Sequence, residues 1–172
     1  MFLSPDSARR DPKEFRYPGD CLSSGWIRVI RLLPGDWATP IQCELFTCHL
    51  SLARYKALSY VWGSKHRTRP IRLADVEFPV TVNLESALRH LRELYKTVEG
   101  GPVLWVDSLC INQADDVERS SQVQMMGDIY ARCEQVIVYL GDHTKSYSDP
   151  QHYPHSSSGK ATKMLPVRPR KT

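Results

Sequence analysis

The stretch Val103–Tyr130, "VLWVDSLCINQADDVERSSQVQMMGDIY", decides how the chain is read. It opens on a short continuous apolar run between Gly-Gly-Pro and Asp107, the pattern of a strand covered on both faces in a parallel sheet. Its second half carries Val123, Met126, Ile129 and Tyr130, with Cys133 beyond, at the three- and four-residue spacing of a helix. Between them lies a polar loop with Asp107, Ser108, Cys110, Asn112 and Gln113, and a helix is predicted to begin near Asp115. "QVIVYLG" (Gln135–Gly141) is a further buried strand. Strands alternating with helices through short connections predict an α/β unit with parallel crossovers.

Working outward toward the N-terminus, "NLESALRHLRELYK" reads as a helix capped by Asn83. Leu84, Ala87, Leu88, Leu91, Leu94 and Tyr95 form its apolar stripe, and Arg89, Arg92, Glu93 and Lys96 take the outside. His90 lies at the edge of the stripe. "PIRLADVEFPVT" (Pro70–Thr81) predicts two short strands about a turn near Ala74-Asp75, and "YKALSYVWG" (Tyr55–Gly63) a stronger strand. "WIRVIRLLPGD" alternates as a half-exposed strand does, with "IQCELFTCHL" as its hairpin partner. Residues 1–25, with Pro5, Pro12, Pro18 and Gly19, are expected to be a flexible arm, and 26–142 the α/β domain. The Ser-, Pro- and Lys-rich segment 143–172 is expected to be a disordered basic tail.

Composition excludes several function classes. The chain has 172 residues and a formal charge of +4. Six Lys/Arg and one Asp lie from His143 onward, so the tail carries +5 and the rest of the chain −1. The predicted domain therefore offers no electrostatic reason to bind nucleic acid. Five scattered cysteines, Cys21, Cys43, Cys48, Cys110 and Cys133, make a poor disulfide framework. "CELFTCH" lacks a second ligand pair at finger spacing, so no metal is expected. The first residues have no apolar signal core, and no apolar run approaches the ~20 residues of a membrane span. A cytoplasmic protein is expected.

The polar loop admits two readings. Ligands of open α/β sheets bind beyond the carboxyl ends of the strands, where Asp107 sits, and a helix N-terminus holds anions well. Equally, Asp115 and Glu118 have capping-box spacing, Asn112 suits a turn, and Asp107 suits loop amides or Arg119. Cys110 has no linked histidine among His49, His66 and His90, which weakens it as a nucleophile. "VWGSKHRTRP" has one glycine, so no Gly-rich phosphate loop is present and no cofactor is expected.

"YKALSYVWGS", "NLESALRHLREL", "VLWVDSLCINQADDVERSSQVQMMGDIYARCEQVIVYLGD" and their order resemble the heterokaryon incompatibility (HET) domain of filamentous fungi. The likeness spans about half the chain, Tyr55–Asp142, and "WVDSLCINQ" and "QVQMMGDIY" are its most specific segments. The resemblance implies non-self recognition and regulated cell death, with self-association or other death-signalling proteins as partners. It also implies a distant likeness to TIR domains, hence a flavodoxin/TIR-like fold with a small mostly parallel sheet, to which this chain adds an N-terminal β-hairpin. Some TIR domains cleave NAD using a glutamate. That alternative makes NAD a substrate, Glu118 the catalytic candidate and Asp107 the second. Tyr60 and Trp62 would then offer a stacking wall, with Gly63, Cys110, Asn112 and Gln113 beside them. HET domains usually continue past the "V-Y-L-G" element, whereas here the pattern stops at Asp142. A truncated, non-functional remnant is the third expectation.

Overall fold

The computed structural model describes residues 15–18, 22–141 and the backbone of 164–167. Its strands are β1 (Trp26–Leu32), β2 (Gln42–His49), β3 (Lys56–Tyr60), β4 (Thr68–Leu73), β5 (Val76–Thr81), β6 (Val103–Trp105), β7 (Gln135–Tyr139) and β8 (Met164–Val167). Three helices, α1 (Val82–Leu94), α2 (Asp107–Cys110) and α3 (Asp116–Arg132), complete the described elements. All the strands join one sheet in the order β5-β4-β2-β1-β6-β3-β7-β8.

The α/β class holds, but the mostly parallel sheet is corrected to a mixed one. β3 pairs in parallel with both β6 and β7, as the buried runs predict, and β2 pairs in parallel with β4. The pairs β1/β2, β1/β6, β4/β5 and β7/β8 are antiparallel. The β1/β2 hairpin is not an appendage, because β1 lies between β2 and β6. Nor is β1 half-exposed: Ile27, Arg28, Val29, Ile30 and Leu32 are all buried. A continuous apolar run states that both faces are covered; it carries no signal for the direction of the neighbouring strand.

Local chemistry explains the joints. Ala74 and Asp75 both take positive φ (48° and 64°), as a two-residue type I′ hairpin between β4 and β5 requires. Gly101 has φ +83°, and a Cβ there would stand 1.9 Å from the Leu32 carbonyl oxygen, so only glycine fits. This lets the Leu32 N–H reach the Pro102 carbonyl at 3.0 Å, at the seam between β1 and β6.

The helices depart from expectation in instructive ways. The cap of α1 is Thr81, whose hydroxyl accepts from Leu84 N at 3.3 Å. Asn83 instead lies inside the helix, and its Nδ2 donates to Val61 O at 3.1 Å. Leu94 is 58% exposed and Arg92 is buried, reversing their predicted faces. Arg92 donates to the Asp36, Thr39 and Pro40 carbonyls at 2.6–3.0 Å, tying α1 to the loop between β1 and β2. On α3, Val123 is 53% exposed, whereas Glu118, Gln122 and Ile129 are the buried face. Tyr55 Oη donates to Ile129 O at 2.6 Å, and the Tyr130 ring meets Trp105 edge-on at 5.5 Å.

The expected loose arm is partly docked. Phe15 packs on Phe78, Tyr17 lies against Arg28, and Leu22 is buried. In the expected disordered tail, Met164–Val167 pairs with β7 as a strand. The remaining parts of the arm (1–14, 19–21) and of the tail lie outside the described residues. Among the described residues no helix is long and apolar enough to cross a membrane.

Candidate functional site

The parallel register of β3, β6 and β7 brings "SYVWG" and "WVDSLCINQ" together at the carboxyl ends of the strands. There the two segments are bonded to one another. Tyr60 Oη and Ser108 Oγ share a hydrogen bond of 2.7 Å. Trp62 Nε1 donates to Asp107 Oδ2 at 3.0 Å, and Ser108 N donates to Asp107 Oδ1 at 2.7 Å. Gln113 Nε2 donates to the Asp107 carbonyl at 3.1 Å. Gly63 takes φ +74° beside the Asn83 amide, letting the chain turn away immediately after Trp62.

Burial sets the electrostatics. It raises the Asp107 carboxyl above its ordinary value, opposed by the Ser108 and Trp62 donors. It also raises the Tyr60 hydroxyl, against the Ser108 bond. Cys110 is fully enclosed; burial pushes its thiol up to about 12, although Val106 N donates to its Sγ at 3.3 Å. In this structure the thiol is packed in the core. Among the described residues no three His, Cys, Asp or Glu side chains gather as a metal site.

The loop was predicted without its own secondary structure, yet Asp107–Cys110 forms the single helical turn α2. Asn112 Oδ1 accepts from Ala114 N at 3.2 Å, an Asx-type turn. Asp115 caps α3, its Oδ1 accepting from Val117 N and Glu118 N at 3.0 Å each. That cap occupies two of the N–H groups that a helix N-terminus would offer to an anion. Arg119 does not pair with Asp107; it bonds Gln113 O at 3.0 Å and Asp116 at 2.8 Å.

Glu118 does not join the strand-end cluster. It is buried and paired bidentately with Arg28, at 2.5 and 3.0 Å. Its Oε1 also accepts from Asn112 N at 2.7 Å. Arg28 is the residue that sequence reasoning missed. An arginine between apolar strand residues has the look of an outward position, and nothing local announces a partner 90 residues away.

Outside the cluster, Val61 (65% exposed) and Leu140 (47%) follow directly on the register partners Tyr60 and Tyr139. Both stand exposed at the ends of β3 and β7. Sequence comparison adds a family. Residues 55–170 match the model of the heterokaryon incompatibility protein (HET) family, so the likeness continues beyond Asp142. "Heterokaryon incompatibility protein 6, OR allele" of Neurospora crassa is 40% identical over 140 residues, covering 74% of this chain and 21% of that protein. The chain thus spans about a fifth of that relative's length. No solved structure matches.

Proposed function

The chain belongs to the heterokaryon incompatibility family, and from that premise we propose that it acts in fungal non-self recognition as a self-associating, cytoplasmic death-signalling module. One observation carries the choice of a binding module over an enzyme. Asp107 and Glu118 are turned inward on donors of the same chain, and Val61 and Leu140 stand exposed beside them. A glycosidase needs a carboxylate free to face its substrate. A protein contact needs shape and apolar area, which Val61 and Leu140 offer.

The test is Val61→Asp with Leu140→Asp. Both side chains are exposed, so melting is expected to stay near that of the wild type. Light scattering should show loss of oligomers, and fungal cells expressing the pair should survive. Unchanged assembly and killing would sink the proposal. The distant TIR-like reading as an NAD glycohydrolase keeps one supporting observation: Asp107 is a desolvated carboxyl beside Tyr60 and Trp62. NAD consumption by wild-type protein, abolished by Asp107→Asn, would favour that second reading.

A further inference from the structure

Arg28 lies outside the family-matched segment, which begins at Tyr55, yet its side chain is bonded to Cys110 and Glu118 within that segment. Its Nη1 and Nη2 hold Glu118, and Nη1 also reaches the Cys110 carbonyl at 3.4 Å. Its Nε donates to Pro18 O at 3.1 Å, and the Tyr17 ring lies 4.7 Å from its guanidinium carbon. Arg28 and Glu118 are both sealed from solvent, with side-chain exposures of 0% and 1%. One planar guanidinium therefore joins the N-terminal segment, β1, the end of α2 and the first turn of α3.

The pair acts on the loop at two points. Cys110 ends the turn that Asp107 begins, and its carbonyl faces Arg28. Asn112 N–H, one residue before Gln113, is held by Glu118. Gln113 in turn bonds the Asp107 carbonyl, and Asp107 holds Trp62. No element of the segment beginning at Tyr55 supplies a cation to Glu118 in the described structure; β1 does.

We propose that Arg28 is a positioning residue of the strand-end site: through Glu118 it fixes the Cys110–Gln113 segment, and so sets the Trp62–Asp107 bond from outside the family-matched segment. In calling that cluster the functional surface, the proposal rests on the function proposed above. The working unit then starts before Tyr55, with β1 and the docked Phe15–Pro18 segment as parts of the site.

The experiment must separate positioning from mere stability. Replacing both charges by apolar residues of similar length removes the buried pair without leaving one ion unpaired, an exchange that buried pairs often tolerate. The Arg28→Met, Glu118→Met double variant is therefore expected to fold. The Asn112 amide and the Cys110 carbonyl nevertheless lose their partners. Amide exchange at Asn112 should accelerate on the order of tenfold or more. The Trp62 indole N–H resonance, assigned with Trp62→Phe, should move, while that of Trp37, in the loop between β1 and β2, stays in place. A folded double variant with unchanged Asn112 protection and an unmoved Trp62 signal overturns the proposal. Should the double variant not fold, wild-type exchange decides. Protection of Asn112 comparable to the buried turns of α3 supports the pin, and exchange at open-loop rates overturns it. A wild-type chain that causes no cell death would defeat the functional reading, leaving the resonance and exchange results to judge Arg28 alone.

Discussion

Trp105 gives the clearest energetic test of the fold. Its side chain is fully buried in β6 between β1 and β3, and its ring meets Tyr130 edge-on at 5.5 Å. Its indole Nε1 is buried and has no hydrogen-bond partner among the described residues. Two terms therefore oppose one another. Truncation of a packed Trp to Ala costs about 3–5 kcal/mol. An unmade hydrogen bond at a buried N–H already costs the native state about 1–3 kcal/mol, and removing the indole releases that cost. Trp105→Ala is accordingly expected near the low end, about 3 kcal/mol, a drop in melting temperature on the order of 10 °C for a domain of this size. Trp105→Phe loses less volume, keeps a ring against Tyr130 and discards the orphan N–H, so it should fall within about 1 kcal/mol of wild type. Urea unfolding followed by far-UV circular dichroism measures both. Equal losses for Phe and Ala would refute the reasoning, because they would mean that the indole N–H has a partner whose loss dominates.

Glu118→Gln should cost about 3–5 kcal/mol, since it leaves Arg28 as a buried charge without its counter-ion; a glutamine that melts like wild type would show that the charge on Glu118 is not needed to hold Arg28. Asp107→Asn should gain on wild type as pH rises from about 3 to 7, because the raised carboxyl holds its proton more tightly folded than unfolded. Its contribution is complete below the unfolded value and lost on passing through the folded one; a melting difference that instead favours the variant more at acid pH would contradict this. Gly101→Ala should lose cooperative unfolding at ambient temperature, given the 1.9 Å approach to Leu32 O, and a variant with native melting would disprove the seam. Cys43 and Cys110 should resist thiol reagents until the chain unfolds, while half-buried Cys48 reacts earlier; mass-mapped labelling of native Cys110 would count against its burial.

The elements most legible in the sequence were those whose signal is local. The turn at Ala74-Asp75, the strands β3, β6 and β7, and the Asp115 cap each follow from a few neighbouring residues. What escaped was set by long-range partners. The sheet is mixed because β1 enters beside β6, and no feature of "WIRVIRL" encodes which strand it will meet. Arg92 and Leu94 exchanged faces because carbonyls of the distant β1–β2 loop outbid the apolar stripe for that side of α1. Helix α3 hides Glu118 and Gln122 and exposes Val123, the reverse of simple amphipathic patterning, because Arg28 and the Trp26 carbonyl supply polar partners inside.

The candidate site shows the same division. Sequence order placed Tyr60, Trp62, Asp107 and Gln113 correctly at one edge, since parallel strands bring their carboxyl ends together. It did not distinguish a carboxylate that faces outward from one that ties the loop. Glu118 has both oxygens on a guanidinium and one of them also on an amide, so any ligand would first have to break a buried ion pair. If the chain does chemistry at this edge, the burden therefore falls on Asp107, whose two bonds are to a tryptophan N–H and a loop amide, weaker partners than Arg28. The density of polar groups between strand and helix has a physical account without catalysis. A single turn, an Asx turn and a capped helix follow one another within a few residues, and each needs its own donors and acceptors. Val61 and Leu140 are the large apolar side chains left exposed at that edge, and apolar area of that kind has free energy still to gain from burial.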